Sequence, residues 1–464
     1  MTDFRTQRIR DAVHGLIPFR KGEELDELAW RLINTSEFQR LRRIKQLGVS
    51  EFIFPGATHT RFALCVGVFH VARQLRDIIE REVGSRKFDP KRAEVAVTAA
   101  LLHDLGHGPL SHTFEGVAKQ AGLSKRHEAW TAEIILNPAG EVYPLLRSYR
   151  KGGKFGKEVA DLLSAEDPKD IYHAIVSSSF DADRLDYLRR DKAMTGTGAG
   201  AIDFDWLVEH VRVHEVSLAA DDIELSGPRH AAALRAPSFC IDLKALPASE
   251  AFLMARYTLH EQVYFHKTTR CIEAMIAQLL TRMSGLVRAQ NDVATKTGLS
   301  VNHPLIRFFS PRGAIVNNYL ALDDVVLFGA LEPMSKATDP LIRQLARRLK
   351  DRKLYKTLDV GAFGAEEGSQ RAAARRIDNH FKSAIGKTVL KDETASLGIY
   401  SHIGGDDEKA HKKLRILYAD GVDHEISSVS DPIRVLALKK RPLIRYYFAK
   451  DADRAEALRV GRNK

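Results

Sequence analysis

The chain has only three cysteines in 464 residues, Cys65, Cys240 and Cys271. A set so small, odd in number and widely spaced argues against a disulfide framework and for a reducing compartment, and no chemistry is assigned to the thiols. Long apolar runs are also missing. Val95–Leu102 and Phe62–Phe69 end after eight residues, against the roughly 18 needed to cross a bilayer, so both read as buried helix segments and no membrane partner is expected. The opening residues MTDFRTQRIR carry charges at Asp3, Arg5, Arg8 and Arg10 where a signal peptide would have an apolar core. A cytoplasmic location is the resulting expectation. Internal repeats, low-complexity tracts and a long basic tail are absent too, so the net charge of +11, from 71 Lys and Arg against 60 Asp and Glu, has no single focus. Such a field favours polyanions, nucleotides or nucleic acid, without choosing between them.

What is present is an ordinary globular balance, 44% hydrophobic and 28% charged. The length exceeds what one core usually serves, and two parts are expected: a helical domain over 1–350 and a smaller α+β lobe over 351–464. Apolar residues recur at three and four in LDELAWRLINTSEFQRLRRIKQLG, FALCVGVFHVARQLRDIIEREV and EAFLMARYTLHEQVYFHKTTRCIEAMIAQLLTRM, which predicts helices. Between Val208 and Gly227 the alternation in VRVHEVSLAADDIELSG predicts a small hairpin. In the tail, the polar stretch Gly361–Arg376 leads to KKLRILYADGVDHEISSVSD, where Asp420-Gly421 predicts a turn between two strands.

The densest chemistry lies in HDLGHGPLSH, residues 103–112. On a helix, His103 and Asp104 project about 100° apart and can converge on one ion where the helix ends at Gly106. Neutral imidazole beside a carboxylate suits a divalent transition metal or Mg2+. His107 and His112 lie on a Gly-Pro loop, His127-Glu128 repeats the imidazole and carboxylate pair, and Asp181, Asp183, Asp186 and Asp191 crowd into FDADRLDYLRRD. One such histidine alone would read as structural. Four within 25 residues, interleaved with acids and glycines, read as a site.

These blocks, in this order, with FQRLRRIKQLG and FPGATHTRF upstream and RYTLHEQVYFHK and HEISSVSD downstream, resemble the HD-superfamily deoxynucleoside triphosphate triphosphohydrolases, the sterile alpha motif and HD-domain dNTPase and its bacterial relatives. The resemblance spans most of residues 11–440. It implies a mostly α-helical HD-domain fold with a smaller C-terminal α+β lobe and short β-hairpin insertions, dNTP as substrate, deoxynucleoside and triphosphate as products, and a homo-oligomer. It implies His103, Asp104 and Asp183 as metal ligands and His107, His112, His127 and Glu128 as catalytic groups around the phosphates and the attacking water. It also carries Gln46, Leu47, Tyr187, Asp191, Tyr264 and His266 to the deoxyribose and phosphate pocket. Arg61, Arg184, Arg256 and Lys267 are the cations available to phosphate. On the helix after Ser249, Arg256, His260 and Lys267 fall within roughly 40° of one another, with Tyr264 at the margin, so one stripe could line a polyanion.

Two departures from the family's pattern stand out. Its metal-binding histidine belongs to a block R-F-x-H-x-x-G-V, which here reads Arg61-Phe62-Ala63-Leu64-Cys65-Val66-Gly67-Val68, with Leu64 at the ligand position. One His and two Asp remain, a set expected to bind more weakly and to favour Mg2+ or Mn2+, with Fe, Zn and Ni left open. His59 and His70 are poorly placed to substitute. Three outcomes stay open: an active enzyme with an altered metal site, an enzyme that uses its histidines without tight metal, or a nucleotide-sensing protein that has lost catalysis; an HD phosphohydrolase acting on another nucleotide or on nucleic acid is the competing enzyme reading. At the positions where the vertebrate relative reads guanine with Asp and Arg, this chain has Asn34 and Arg42. An amide both donates and accepts, so a different activating nucleotide, or none, is expected. The loop TGTGAGA, residues 195–201, follows a helix rather than a strand and reads as a connection, and Arg371–Arg376 reads as a solvated helix face.

Overall fold

The computed structural model describes residues 5–217, 235–399, 412–438 and 441–462. The helix Arg61–Val83 runs through the middle of the main hydrophobic core and ends at Gly84, whose positive φ of 76° an L side chain rarely adopts. It packs on Pro90–Leu102, which starts with proline at its first turn and Asp89 capping the Lys91 and Arg92 amides, and on Ala182–Thr195. The crossing with Ala182–Thr195 is close because position 67 is glycine. A Cβ there would sit 1.8 Å from Asp186 Oδ2 and 2.4 Å from Arg190 Nη2. Arg61, in the first turn of one helix, donates to Asp104, and Asp183, in the first turn of the other, faces His103.

The amino-terminal hairpin β1 (Gln7–Asp11) and β2 (Gly15–Phe19) is tied to the same crossing. Buried Arg190 donates to Asp11 Oδ2 at 2.8 Å and to Asp186 Oδ1 at 2.7 Å, and His14 Nε2 meets Asp186 Oδ2 at 2.6 Å. A buried guanidinium needs this many partners, since a desolvated charge without them is costly.

Two further sheets flank the helices. Strand β3 (Val211–Ser217) pairs antiparallel with β4 (Arg235–Asp242), so the alternating segment finds its partner farther along than VRVHEVSLAADDIELSG suggests; its second half, from residue 218, lies outside the described residues. Strands β7 (Arg415–Leu417) and β8 (Asp423–Glu425) form the expected pair around Asp420-Gly421, and β7 adds parallel to β4. Strands β5 (Lys356–Asp359), β9 (Arg441–Phe448) and β6 (Val389–Leu397) make the third sheet. Strand β9 alternates faces: Tyr447 enters a core built on the helix Lys267–Arg288, whereas Tyr446 and Phe448 enter a small core with Ile377 and Ala457. The tail after residue 351 therefore contributes to two sheets, one shared with the helical body.

The segment RYTLHEQVYFHK is not one helix. Leu246–Leu259 widens into a π-helical turn over His260–Tyr264 and stops; Lys267–Arg288 begins anew with the His266 ring accepting the Thr268 amide. The continuous stripe through Arg256, His260, Tyr264 and Lys267 is thereby broken, because its angles assume an unbroken 3.6-residue turn.

Candidate active site

The first cluster forms where the helix Pro90–Leu102 ends. His103 Nδ1 lies 2.8 Å from the Ala100 carbonyl, and a carbonyl only accepts, so Nδ1 carries the proton and the neutral ring keeps its lone pair on Nε2. That Nε2 is buried without a hydrogen bond and faces Asp104 Oδ1 at 3.3 Å and Asp183 Oδ1 at 3.5 Å. Asp183 Oδ1 is likewise buried without a hydrogen bond. The Cys65 thiol belongs to the same cluster: its sulfur, a His103 ring nitrogen and an Asp104 oxygen all lie within 4.8 Å of one another. Burial opposes charge on His103, yet Asp104, with Cys65 and Asp183, raises its pKa well above the ordinary imidazole value. Burial equally opposes ionisation of Asp104, and Arg61 with His103 and His107 overcomes it, holding that carboxyl well below its usual range. The cluster thus stabilises a positive charge at its centre, which together with the orphaned nitrogen and oxygen fits a divalent cation.

The second cluster adjoins it through His107, whose Nε2 lies 3.1 Å from Asp104 Oδ1 and whose ring stacks on His127 at 4.1 Å. Burial, Arg61 and His127 keep His107 neutral, with a pKa well below the usual value. Glu115 Oε2 sits 3.3 Å from His127 Nδ1 and 3.6 Å from His112 Nδ1. Burial would raise the Glu115 pKa, but hydrogen bonds from His112 and His127 hold it far below the usual carboxylate range. Glu128 reaches Arg126 at 2.9 Å and lies 3.5 Å from His127 Nδ1.

The loop between the clusters is strained and heavily braced. Leu110 and Ser111 both have positive φ, 52° and 51°, which non-glycine residues adopt at a cost. Arg40, almost fully buried, donates to the carbonyls of Leu105, His107 and Leu322. Tyr319 donates to the Gly106 carbonyl at 2.6 Å, Arg61 Nε to Ser111 Oγ at 2.9 Å, and Thr131 Oγ1 joins the Gly106 amide to the His103 carbonyl. Asp324 accepts from the Leu110 and Lys45 amides, each at 2.8 Å. Burial is the main cause that pushes the Asp324 pKa up, to about 6 from 3.8, with the two amides opposing it. Between those values the folded chain keeps a proton that the unfolded chain has released, so this group stabilises the fold most at low pH and its contribution falls as pH rises through about 6. The difference amounts to about 3 kcal/mol. Urea unfolding of the wild type and Asp324→Asn at pH 4 and pH 7 should show the wild type losing that much relative to the variant; parallel pH profiles would contradict it.

Of the other expected residues, Asp191 is buried between His59 Nε2 at 2.8 Å and Tyr264 Oη at 2.7 Å. Tyr187 lies 6.4 Å from Tyr264, ring to ring, and burial pushes its hydroxyl up to about 12, partly offset by Arg256 and Arg184. Arg256 and His260 are buried; Lys267 is exposed beyond the helix break. Arg61 donates to Asp104, and Arg184 to Asp181 and the Ser178 carbonyl. Gln46 has a buried side-chain oxygen without a hydrogen bond, and Leu47 beside it is half-buried. A cavity of about 250 Å3 opens against His107, Glu115 and His127 and is walled by Phe114, Trp130 and Phe308; it does not extend to Arg61, Tyr187 or Arg256. Asn34 lines a separate cavity with Trp30, Thr35 and Glu141, while Arg42 stacks on Phe62 outside it.

Residues 61–188 match the HD domain family and 230–296 the HD associated region. Over 447 residues, 95% of this chain and 92% of the other, the sequence is 30% identical to the uncharacterized Bacillus subtilis protein YwfO. The chain belongs to the HD superfamily. This HD protein is also 30% identical over 319 residues to the Dictyostelium discoideum homolog of the deoxynucleoside triphosphate triphosphohydrolase SAMHD1, covering 66% of this chain but only 56% of that relative. Its fold matches a crystal structure of a phosphohydrolase from Bacteroides thetaiotaomicron with a TM-score of 0.70 and 25% identity, covering 96% of this chain and all of the other. No helix among the described residues is long and apolar enough to cross a membrane.

Within this HD protein, Leu64 is 1% exposed and packs in the main core. His59 is engaged with Asp191, and His70 neighbours His14 and Arg73, so neither joins the cation cluster. Two residues of the clusters escaped the sequence reading. Glu115 follows His112 by three residues, one helical turn, which is the spacing that signals a shared face. Cys65 follows Arg61 by four, so it shares the face from which Arg61 reaches Asp104.

Proposed function

We propose that this HD-superfamily phosphohydrolase is a dNTP triphosphohydrolase, releasing deoxynucleoside and triphosphate. The observation that carries the reading is the junction of the two clusters through Asp104 and His107, which sets a cation-favouring pocket beside a His-Glu dyad. A divalent ion held by His103, Asp104 and Asp183 would polarise a phosphoryl oxygen. His127, its Nδ1 paired with Glu115, is suited to give a proton to the departing 5′-oxygen while a water oxygen bonds to the α-phosphorus and the bond to O5′ breaks. His107, kept neutral, can accept the proton that water loses; His112 and Glu128 flank the dyad. Arg256 and His260, buried near Tyr187 and Tyr264, are suited to the triphosphate, as are Arg61 and Arg184, with phosphate replacing the protein groups that now hold these side chains. Tyr187 beneath the 2′-carbon would exclude a ribose hydroxyl, and Gln46, with its buried side-chain oxygen, together with Asp191 would read the 3′-hydroxyl. Leu47, His266 and Lys267 would complete the sugar and phosphate contacts. A homo-oligomer, a nucleotide activator and a cytoplasmic location belong to the same reading.

Leu64 favours a second reading, a sensor that binds dNTP without turnover. Incubating the purified protein with each dNTP and each of Mg2+, Mn2+, Fe2+, Co2+, Ni2+ and Zn2+, then separating products, distinguishes them. Triphosphate with deoxynucleoside is the expected result. Tight binding without products would establish the sensor, and release of monophosphate or cleavage of added RNA or DNA would mean a different phosphohydrolase.

A further inference from the structure

We infer that Cys65 supplies a thiolate ligand to the cation in the His103, Asp104 and Asp183 cluster, and that the site therefore selects a zinc-like transition ion over Mg2+. The inference rests on the proposed phosphohydrolase site and alters its donor set. Where the family's block has an imidazole, Leu64 is buried in the core and offers no donor. The next residue does. Cys65 lies on the face of the helix that also carries Arg61, and its sulfur belongs to a group whose ligand atoms are all within 4.8 Å of one another.

The geometry suits one ion. A tetrahedral cation holds sulfur at about 2.3 Å and nitrogen or oxygen at about 2.0–2.2 Å, so its donors stand about 3.3–3.7 Å apart; the Cys65, His103 and Asp104 donors, now within 4.8 Å of one another, draw in by up to about 1 Å on binding, and Asp183 Oδ1 already stands 3.5 Å from His103 Nε2. His103 presents its lone pair on Nε2, because Nδ1 is committed to the Ala100 carbonyl, the arrangement by which metal-binding histidines are oriented. Asp183 Oδ1 and His103 Nε2 are the two buried polar atoms of the cluster without a hydrogen bond. On binding, the Cys65 thiol releases its proton to solvent and the thiolate donates to the ion. The other two cysteines are committed elsewhere: Cys271 donates to the Tyr355 carbonyl, and Cys240 lies in β4.

This donor set reverses the preference that loss of the histidine alone would produce. Removing an imidazole leaves a harder, carboxylate-rich site, whereas adding a thiolate makes it softer, and thiolate and imidazole donors select Zn2+, Co2+ or Fe2+ while Mg2+ requires oxygen. The sequence block thus exchanges one nitrogen donor for one sulfur donor, displaced by a single residue along the helix.

The test is made on the full chain, stripped with chelator and reloaded with Co2+ or Zn2+. The wild type should show a thiolate-to-cobalt charge-transfer band in the near ultraviolet and, as the zinc form, sulfur in the coordination shell by X-ray absorption. Cys65→Ala should lose the band and weaken Zn2+ retention in equilibrium dialysis by at least ~10²-fold, more than loss of a supporting partner produces, while Cys240→Ser keeps both. Absence of the band and of sulfur in the wild type overturns the inference without recourse to any variant, as does unchanged retention in a folded Cys65→Ala. These readouts are independent of turnover. A protein with the band and no hydrolysis would sink the proposed function and leave the ligand assignment standing; hydrolysis with Mg2+ and no sulfur ligand would do the reverse.

Discussion

Glu115→Gln is expected to lower turnover by about 10²–10⁴-fold with little change in KM. The substitution keeps the shape of the side chain and replaces a group that only accepts with one that can also donate. Glu115 Oε2 now faces both His127 Nδ1 and His112 Nδ1. A carboxylate there can only accept and so orients each Nδ1 as a donor; an amide offers a donor to one of them, flips the tautomer and removes the negative charge. The step that suffers is proton delivery to the leaving oxygen. Substrate binding, which depends on other residues, should persist, and His127→Ala should show a similar loss. Single-turnover release of triphosphate, measured with saturating dNTP, is the check. A Glu115→Gln protein with wild-type turnover would remove the dyad from the mechanism.

The helical body was readable because a period of 3.6 in apolar residues survives any detail of packing, and strands β7 and β8 were readable because Asp420-Gly421 fixes a turn locally. The cation cluster and the His-Glu dyad were only partly readable. Motif order brings His103, Asp104 and Asp183 to mind, and the fold places their side chains within 3.5 Å of the next. Glu115 is different, since its partner His127 belongs to another helix and nothing in either segment alone states the pairing. Cys65 was missed for a simpler reason. A motif is read by position, and a donor atom displaced by one residue goes unread, although rotation by about 100° on the Arg61–Val83 helix sets the Cys65 sulfur beside His103 and Asp104. The stripe beyond Ser249 failed because a π turn is invisible to a pattern that assumes regular rise, and such turns occur where function rather than propensity sets the backbone.

Gly106→Ala is expected to destabilise the fold by about 3 kcal/mol or more and to cut activity by at least ~10²-fold, because displacing a catalytic group by about 1 Å has that effect. The backbone of Gly106 has no unusual conformation; space is the constraint. A Cβ would meet the His127 carbonyl oxygen at 2.1 Å, the Thr131 amide nitrogen at 2.4 Å and Thr131 Oγ1 at 2.6 Å. Two of those atoms are main chain of the helix His127–Ile135, so relief requires moving the helix that begins with the proposed proton donor, or moving the loop that Tyr319 and Thr131 hold by the same residue. Either motion separates His127 from His107 and from Glu115. Gly116→Ala, in the neighbouring helix His112–Gln120, meets nothing within 4 Å and serves as the control, expected to be neutral or to stabilise by up to about 1 kcal/mol. Urea unfolding of the two variants beside the wild type measures the first effect and triphosphate release the second. A Gly106→Ala protein as stable and as active as the Gly116→Ala control would show that the contact between loop and helix is not what positions His127.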